Sequence, residues 1–152
     1  MSNVKAIPEG LHTVTPSMTI DGCAEALEFY KKAFGAEEKM RAPDPSGKKI
    51  WHAEFRIGNS TIFCNDAAPE MGVKANTSSL WIYTTEVDAA WKRATDAGMT
   101  VRMPIADMFW GDRMGTVVDK WGNNWTLAKH VKDLTPAEMQ KAQDEFVASM
   151  KK

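Results

Sequence analysis

One phrase occurs twice in this chain, and it limits the fold more than any other feature. Ile57-Gly58-Asn59-Ser60-Thr61-Ile62-Phe63-Cys64 is echoed 64 residues later by Trp121-Gly122-Asn123-Asn124-Trp125-Thr126-Leu127-Ala128. In each copy a Gly-Asn pair, suited to reversing a chain, precedes residues that favour extended structure. The second copy lies within Asp107–His130, a stretch that holds three of the six tryptophans, Trp110, Trp121 and Trp125. A hairpin used twice within 152 residues predicts two small modules sharing one domain.

Periodicity assigns each module the same order. In the first, Thr13–Ile20 reads as a strand whose Pro16 suits an edge or a strand start. Asp21 is the expected cap of a helix with Ala26, Leu27, Tyr30, Ala33 and Phe34 at helical spacing, and Gly35 ends it. Glu37–Pro43 is a strand, and Asp44-Pro45-Ser46-Gly47 a turn. Lys49–Ile57 then alternates, placing Trp51, Ala53, Phe55 and Ile57 on one face and His52, Glu54 and Arg56 on the other. Thr61–Asn65 completes a β-α-β-β-β module over about residues 13–66.

The second module, about residues 79–130, repeats the plan. Ser79–Thr84 is strand-like, and Thr85-Glu86-Val87-Asp88 resembles a capping box. Val87, Trp91, Ala94 and Ala97 make a helical stripe that stops at Gly98, 63 residues after Gly35. Met99–Arg102, Arg113–Val118 and Asn124–His130 supply three strands. A last helix over about residues 135–150 opens with Thr135-Pro136-Ala137-Glu138, and its Met139, Ala142, Phe146 and Met150 stripe packs either on its own domain or on a second subunit.

Totals exclude several classes. The net charge is −1 with both signs interspersed, so no basic footprint for nucleic acid exists. No apolar run approaches the ~18–20 residues of a membrane span, and no secretory signal opens the sequence, so a cytoplasmic protein is expected. Cys23 and Cys64 form no metal motif and give weak grounds for a disulfide, although Cys23 falls near a helix N-terminus. No nucleophilic triad, phosphate loop or dinucleotide pattern is readable.

Candidate ligand contacts follow from alternation. His52 and Glu54 share a strand face, where they suit a metal, acid–base chemistry or simply a solvated surface. Ser79, Trp81 and Tyr83 also share a face, offering aromatic stacking unless the rings pack beneath the helix. Trp110-Gly111-Asp112-Arg113 is expected in a loop between strands, where Arg113 either meets an anion or makes a structural contact with Asp112 or the backbone. His130 ends a strand and His12 lies in the lead-in, both read as exposed.

Leu27-Glu28-Phe29-Tyr30-Lys31-Lys32-Ala33-Phe34-Gly35-Ala36 resembles the first-helix signature of the glyoxalase/bleomycin-resistance/extradiol-dioxygenase (vicinal oxygen chelate) superfamily. Trp51-His52-Ala53-Glu54, Trp110-Gly111-Asp112-Arg113 and Asp119–Trp125 are similar to its PhnB-like members. The resemblance covers about residues 13–135 and implies an α+β fold in which two paired βαβββ modules form a curved, incomplete barrel around a shared cavity, plus a C-terminal helix. It also implies a homodimer that binds a small molecule; Trp81, Tyr83 and Arg113 suit an aromatic or anionic one, and the charge and hydropathy point to no nucleic acid or membrane partner. Where PhnB-like chains commonly read Asp-Pro-Phe-Gly-His, this one has Lys120 for the proline and Asn123 for the histidine, so no role of that histidine transfers.

Metal-dependent relatives place one ligand on the first and last strand of each module. Those positions fall near Thr15, Ile62 or Phe63, Ser79 and Thr126, none of them an imidazole or carboxylate. No metal and no other cofactor is therefore expected, and no catalytic residue is assigned. The leading expectation is a small-molecule binding protein. The alternatives are a lyase or isomerase using His52 and Glu54, and a dimeric regulatory module with a vestigial cavity.

Overall fold

Tyr30 explains how the first module closes. Its ring stacks on Phe34 at 6.0 Å and on Phe55 at 5.6 Å, tying a helix to the strand beneath it. Such ring pairs add about 0.5–1.5 kcal/mol each beyond the area they bury. The computed structural model describes residues 3–152. It places β1 at Ser17–Ile20, α1 at Cys23–Phe34, β2 at Glu37–Pro43, β3 at Ile50–Ile57 and β4 at Ser60–Asp66. The sheet order is β1-β4-β3-β2, with β1 parallel to β4 and the other pairs antiparallel. Ala26, Leu27, Tyr30 and Ala33 of α1 are buried together with Met18, Ile20, Ala53, Phe55, Ile62 and Cys64.

The cap of α1 differs from expectation. Gly22, in the left-handed region at φ 107°, precedes the helix, and no side chain of its own segment caps it. Asp66 at the end of β4 does so instead. Its Oδ1 accepts from the amides of Gly22 at 3.1 Å and Cys23 at 2.8 Å, and its Oδ2 from Ile50 at 2.7 Å. One carboxylate thus joins the helix start, β3 and β4, satisfying amides that the first helical turn leaves open.

Trp51 also departs from the alternation read in the sequence. The β2–β3 register shifts between Ala42 and Pro43, so the inward role passes to Ile50 and Trp51 turns out to 55% exposure. Ala53 and Phe55 are fully buried as their spacing implied. β1 is shorter than expected because Pro16 closes it, with the Pro16 carbonyl still accepting from the Phe63 amide at 2.9 Å. The edge of β1 is covered by Asn76, whose amide donates to the Thr19 carbonyl and whose Oδ1 accepts from the Thr19 amide. Cys23 and Cys64 are buried free thiols with sulfurs 2.6 Å apart. Contact with Cys23, reinforced by burial, pushes the Cys64 thiol well above the ordinary range.

A short 3₁₀ turn at Pro69–Met71 lies in the connection. The second module then has β5 at Ser79–Tyr83, α2 at Val87–Asp96, β6 at Thr100–Asp107, β7 at Asp112–Val118 and β8 at Asn124–His130. Its order, β5-β8-β7-β6 with β5 parallel to β8, repeats the first. The chain divides into two compact units that meet in sequence at Ser78 and Ser79. The architecture is α+β, each sheet open and four-stranded.

Two local details differ from the sequence reading of this module. Thr85 forms no capping box: no side chain caps α2, and Asp88 is drawn to Arg113 instead. β6 runs on past Arg102 through Pro104 to Asp107, as an edge strand with register shifts can. Gly115 is required by close packing, since a Cβ there would lie 2.6 Å from the Trp91 ring. The Asp119 carboxylate organises the β7–β8 loop by accepting from the Trp121 amide, the Asn123 amide and side chain, and the Trp125 indole. Asn123, standing where PhnB-like chains carry histidine, is thereby a fully buried loop residue.

The last helix, α3 at Pro136–Met150, begins with the expected Thr135–Glu138 capping box. None of its residues is buried, and Phe146 meets Phe109 with ring centres 5.1 Å apart. No helix among the described residues is long and apolar enough to cross a membrane.

Candidate functional site

Strand alternation in the second module separates two chemistries. Val117, Trp125 and Leu127 are buried, and Gly115 lies against Trp91 of α2. The opposite face carries polar groups beside the buried Met114–Ala128 pair. Ser79 of β5, Arg102 and Met103 of β6, Thr116 of β7, and Asn124 and Thr126 of β8 line a cleft of about 490 Å³. That volume lies in the range of small-molecule sites.

Register explains the composition of the cleft. Thr116 and Thr126 are direct partners on β7 and β8, and their hydroxyls meet at 2.9 Å. Ser79 pairs with Asn124, whose Oδ1 accepts from Arg102 Nη1 at 2.6 Å. The cleft therefore presents hydroxyls able to donate or accept, together with one guanidinium.

Trp81 and Tyr83 continue the Ser79 face. They are 48% and 61% exposed with ring centres 6.3 Å apart, so they do not pack beneath α2. The Tyr83 hydroxyl donates to Asp112 Oδ2 at 2.9 Å, and this raises its pKa. Asp112 is buried, and its Oδ1 lies 2.9 Å from His130 Nδ1. Burial pushes the Asp112 carboxyl up, but hydrogen bonds from His130, Tyr83 and Trp110 outweigh it and hold the group below its ordinary range. His130 Nε2 lies 2.7 Å from Asp133, and the two carboxylates raise the imidazole pKa.

Sequence reasoning did not find Arg102, Met103, Thr116 or Asn124. They gather only through cross-strand register, which depends on the five-residue loop between Val118 and Asn124. His130 is half-exposed but held by two carboxylates. Trp110 is half-buried, edge-on to Phe109 at 5.1 Å and bonded to Asp112. Arg113 pairs with Asp88 of α2 at 2.7 Å and with Asp107 at 3.3 Å, not with Asp112, because neighbouring strand residues point to opposite faces. Its position takes it away from the cleft.

In the first module His52 and Glu54 do meet, Nε2 to Oε1 at 3.2 Å, with the His52 ring edge-on to Phe63 at 4.8 Å. Of the superfamily ligand positions, Ile62 is buried beneath α1, Phe63 accompanies His52, and Ser79 and Thr126 line the cleft. Among the described residues no three His, Cys, Asp or Glu side chains gather as a metal would need.

The repeated βαβββ topology and the sequence agree on descent: a sequence model of the Glyoxalase/Bleomycin resistance protein/Dioxygenase superfamily matches residues 10–127, and the chain belongs to that superfamily. It is 39% identical over 138 residues to the Uncharacterized protein Mb0911c of Mycobacterium bovis, covering 85% of this chain and 90% of that one. Its fold is similar to TioX from Micromonospora sp. ML1, with a TM-score of 0.63 at 21% identity, covering 78% of this chain and 99% of that one. It is also similar to the PhnB protein from Bacillus cereus, with a TM-score of 0.58 at 20% identity over 78% of this chain and 99% of that one.

Proposed function

We propose that this protein binds a small molecule in the cleft of its second module, without the divalent metal used by catalytic members of the superfamily. The observation that carries the reading is the cleft itself, where Ser79, Thr116 and Thr126 hydroxyls face the Arg102–Asn124 pair. Exposed Trp81 and Tyr83 extend along the same strand face and suit a planar group on the ligand. Arg102 suits an anionic substituent. Neutral hydroxyls bind a divalent ion weakly because they bring no charge to offset the loss of its water. The expected ligand is thus a planar or apolar molecule with a polar, anionic end. Titration of aromatic carboxylates against tryptophan emission tests this: saturable quenching is expected, lost in Arg102→Gln with Trp81→Ala. A flat response across the series would refute it.

A second reading, an acid–base enzyme, has one specific observation behind it, the 3.2 Å approach of His52 to Glu54. Turnover of a candidate compound that disappears in both His52→Ala and Glu54→Gln would favour it. We also propose a cytoplasmic homodimer, with α3 as an interface element because its Phe146, Val147 and Met150 remain exposed.

A further inference from the structure

We propose that Arg56 anchors a binding site for a small oxyanion on the first module's sheet, separate from the cleft of the second module. Arg56 is half-buried on β3, two residues beyond Glu54 and four beyond His52 on the same strand face. Its Nε is buried and has no hydrogen-bond partner among the described residues. Leaving a buried donor unpaired is costly, and more so for a charged group.

Among the described residues no acid hydrogen-bonds Arg56, although the Glu37 charge across the ladder attracts it. Glu37, its partner across the β2–β3 ladder, is held by Lys39 at 2.8 Å. Glu38 is held by Arg41 at 2.7 Å and Lys31 at 3.3 Å. Glu54 is engaged by His52 at 3.2 Å. Other arginines have found partners, Arg113 with Asp88 and Asp107, and Arg102 with Asn124. Among the described residues only Arg56 has a buried side-chain donor without a hydrogen-bond partner.

Across the ladder Arg56 faces Thr61, whose hydroxyl offers a further donor. A guanidinium edge beside a hydroxyl fits the paired oxygens of a carboxylate or phosphate. The ligand is therefore a small molecule with one compact oxyanion. All residues concerned lie in the first module, so the site stands or falls apart from the second module's cleft.

The Nε–H of arginine is directly visible by NMR, which makes the test specific. The Arg56 signal is assigned by its loss in Arg56→Lys, and intact protein is titrated with acetate, with inorganic phosphate and with chloride at matched ionic strength. A saturable shift with acetate, phosphate or both is expected, the responding anion distinguishing planar from tetrahedral oxyanions. Glu54→Gln should tighten that binding several-fold by removing a nearby negative charge. A signal that moves no more with either oxyanion than with chloride overturns the proposal. So does a loss of melting temperature in Arg56→Met with no anion dependence, since a purely structural arginine behaves that way.

Discussion

The Tyr83 hydroxyl reaches over β8 to donate to Asp112 on β7 at 2.9 Å, while His130 of β8 lies 2.9 Å from the other carboxylate oxygen. Three strands thus share one buried anion. Asp112→Ala leaves the Tyr83, His130 and Trp110 donors without their acceptor. A loss of about 1–3 kcal/mol is expected, on the scale of an unmade buried hydrogen bond. Chemical denaturation checks it, and a change under about 0.5 kcal/mol, the usual range for surface substitutions, would contradict the role.

The same cluster sets a pH dependence. Hydrogen bonds to Asp112 and Asp133 raise His130 above its ordinary 6.5. A group with a raised folded pKa stabilises fully below its unfolded value and loses that contribution as pH climbs through the folded one. The stability advantage of wild type over His130→Gln should therefore shrink as pH rises above 6.5, read by urea midpoints at several pH values. An advantage that grows with pH would contradict the cluster.

Asp66→Ala should destabilise the first module more than an ordinary cap deletion. A cap alone is worth about 0.5–2 kcal/mol, and Asp66 also holds the Ile50 amide. Asn at the same position retains one acceptor oxygen and should recover part of the loss. Negligible effects of both variants would show that the three amides are satisfied in another way.

Gly115→Ala places a methyl 2.6 Å from Trp91 and 2.9 Å from the Ile105 backbone. Overpacking of this kind costs about 1–3 kcal/mol. Thermal melting of the variant is the check, and an unchanged midpoint would mean that α2 is free to lift from the sheet.

Deleting residues 135–152 removes α3, none of whose residues is buried. Each module should keep its melting behaviour. Sedimentation should show a dimer for the whole chain and weaker association for the truncated one. A truncated chain that remains fully dimeric would assign α3 to its own subunit.

The sequence made the element order legible because both devices that define it are local. Helical stripes ending at Gly35 and Gly98 and two hairpins carry their signal in adjacent residues. Side-chain partners were less legible, since they depend on register. The 64-residue echo aligns Ile62 with Thr126, yet Ile62 lies beneath α1 and Thr126 faces the cleft. The hairpins close differently, Ile57 opposite Ser60 in one and Val118 opposite Asn124 in the other, which slides the equivalence by an odd number of residues. The Asp66 cap was hidden for a related reason: it lies 43 residues from the Cys23 amide that it holds. Ser79, Trp81 and Tyr83 were readable as one face from strand alternation alone.

A chemical-shift map on labelled protein locates binding in the second module's cleft residue by residue. Aromatic carboxylates should perturb Ser79, Trp81, Arg102, Thr116, Asn124 and Thr126 together, with saturation and without added metal. Trp81→Ala should weaken that binding by about 1–3 kcal/mol, the scale of a buried aromatic contact. Perturbations that scatter over the surface, or that arise only when zinc or manganese is supplied, would contradict a metal-free binding site there.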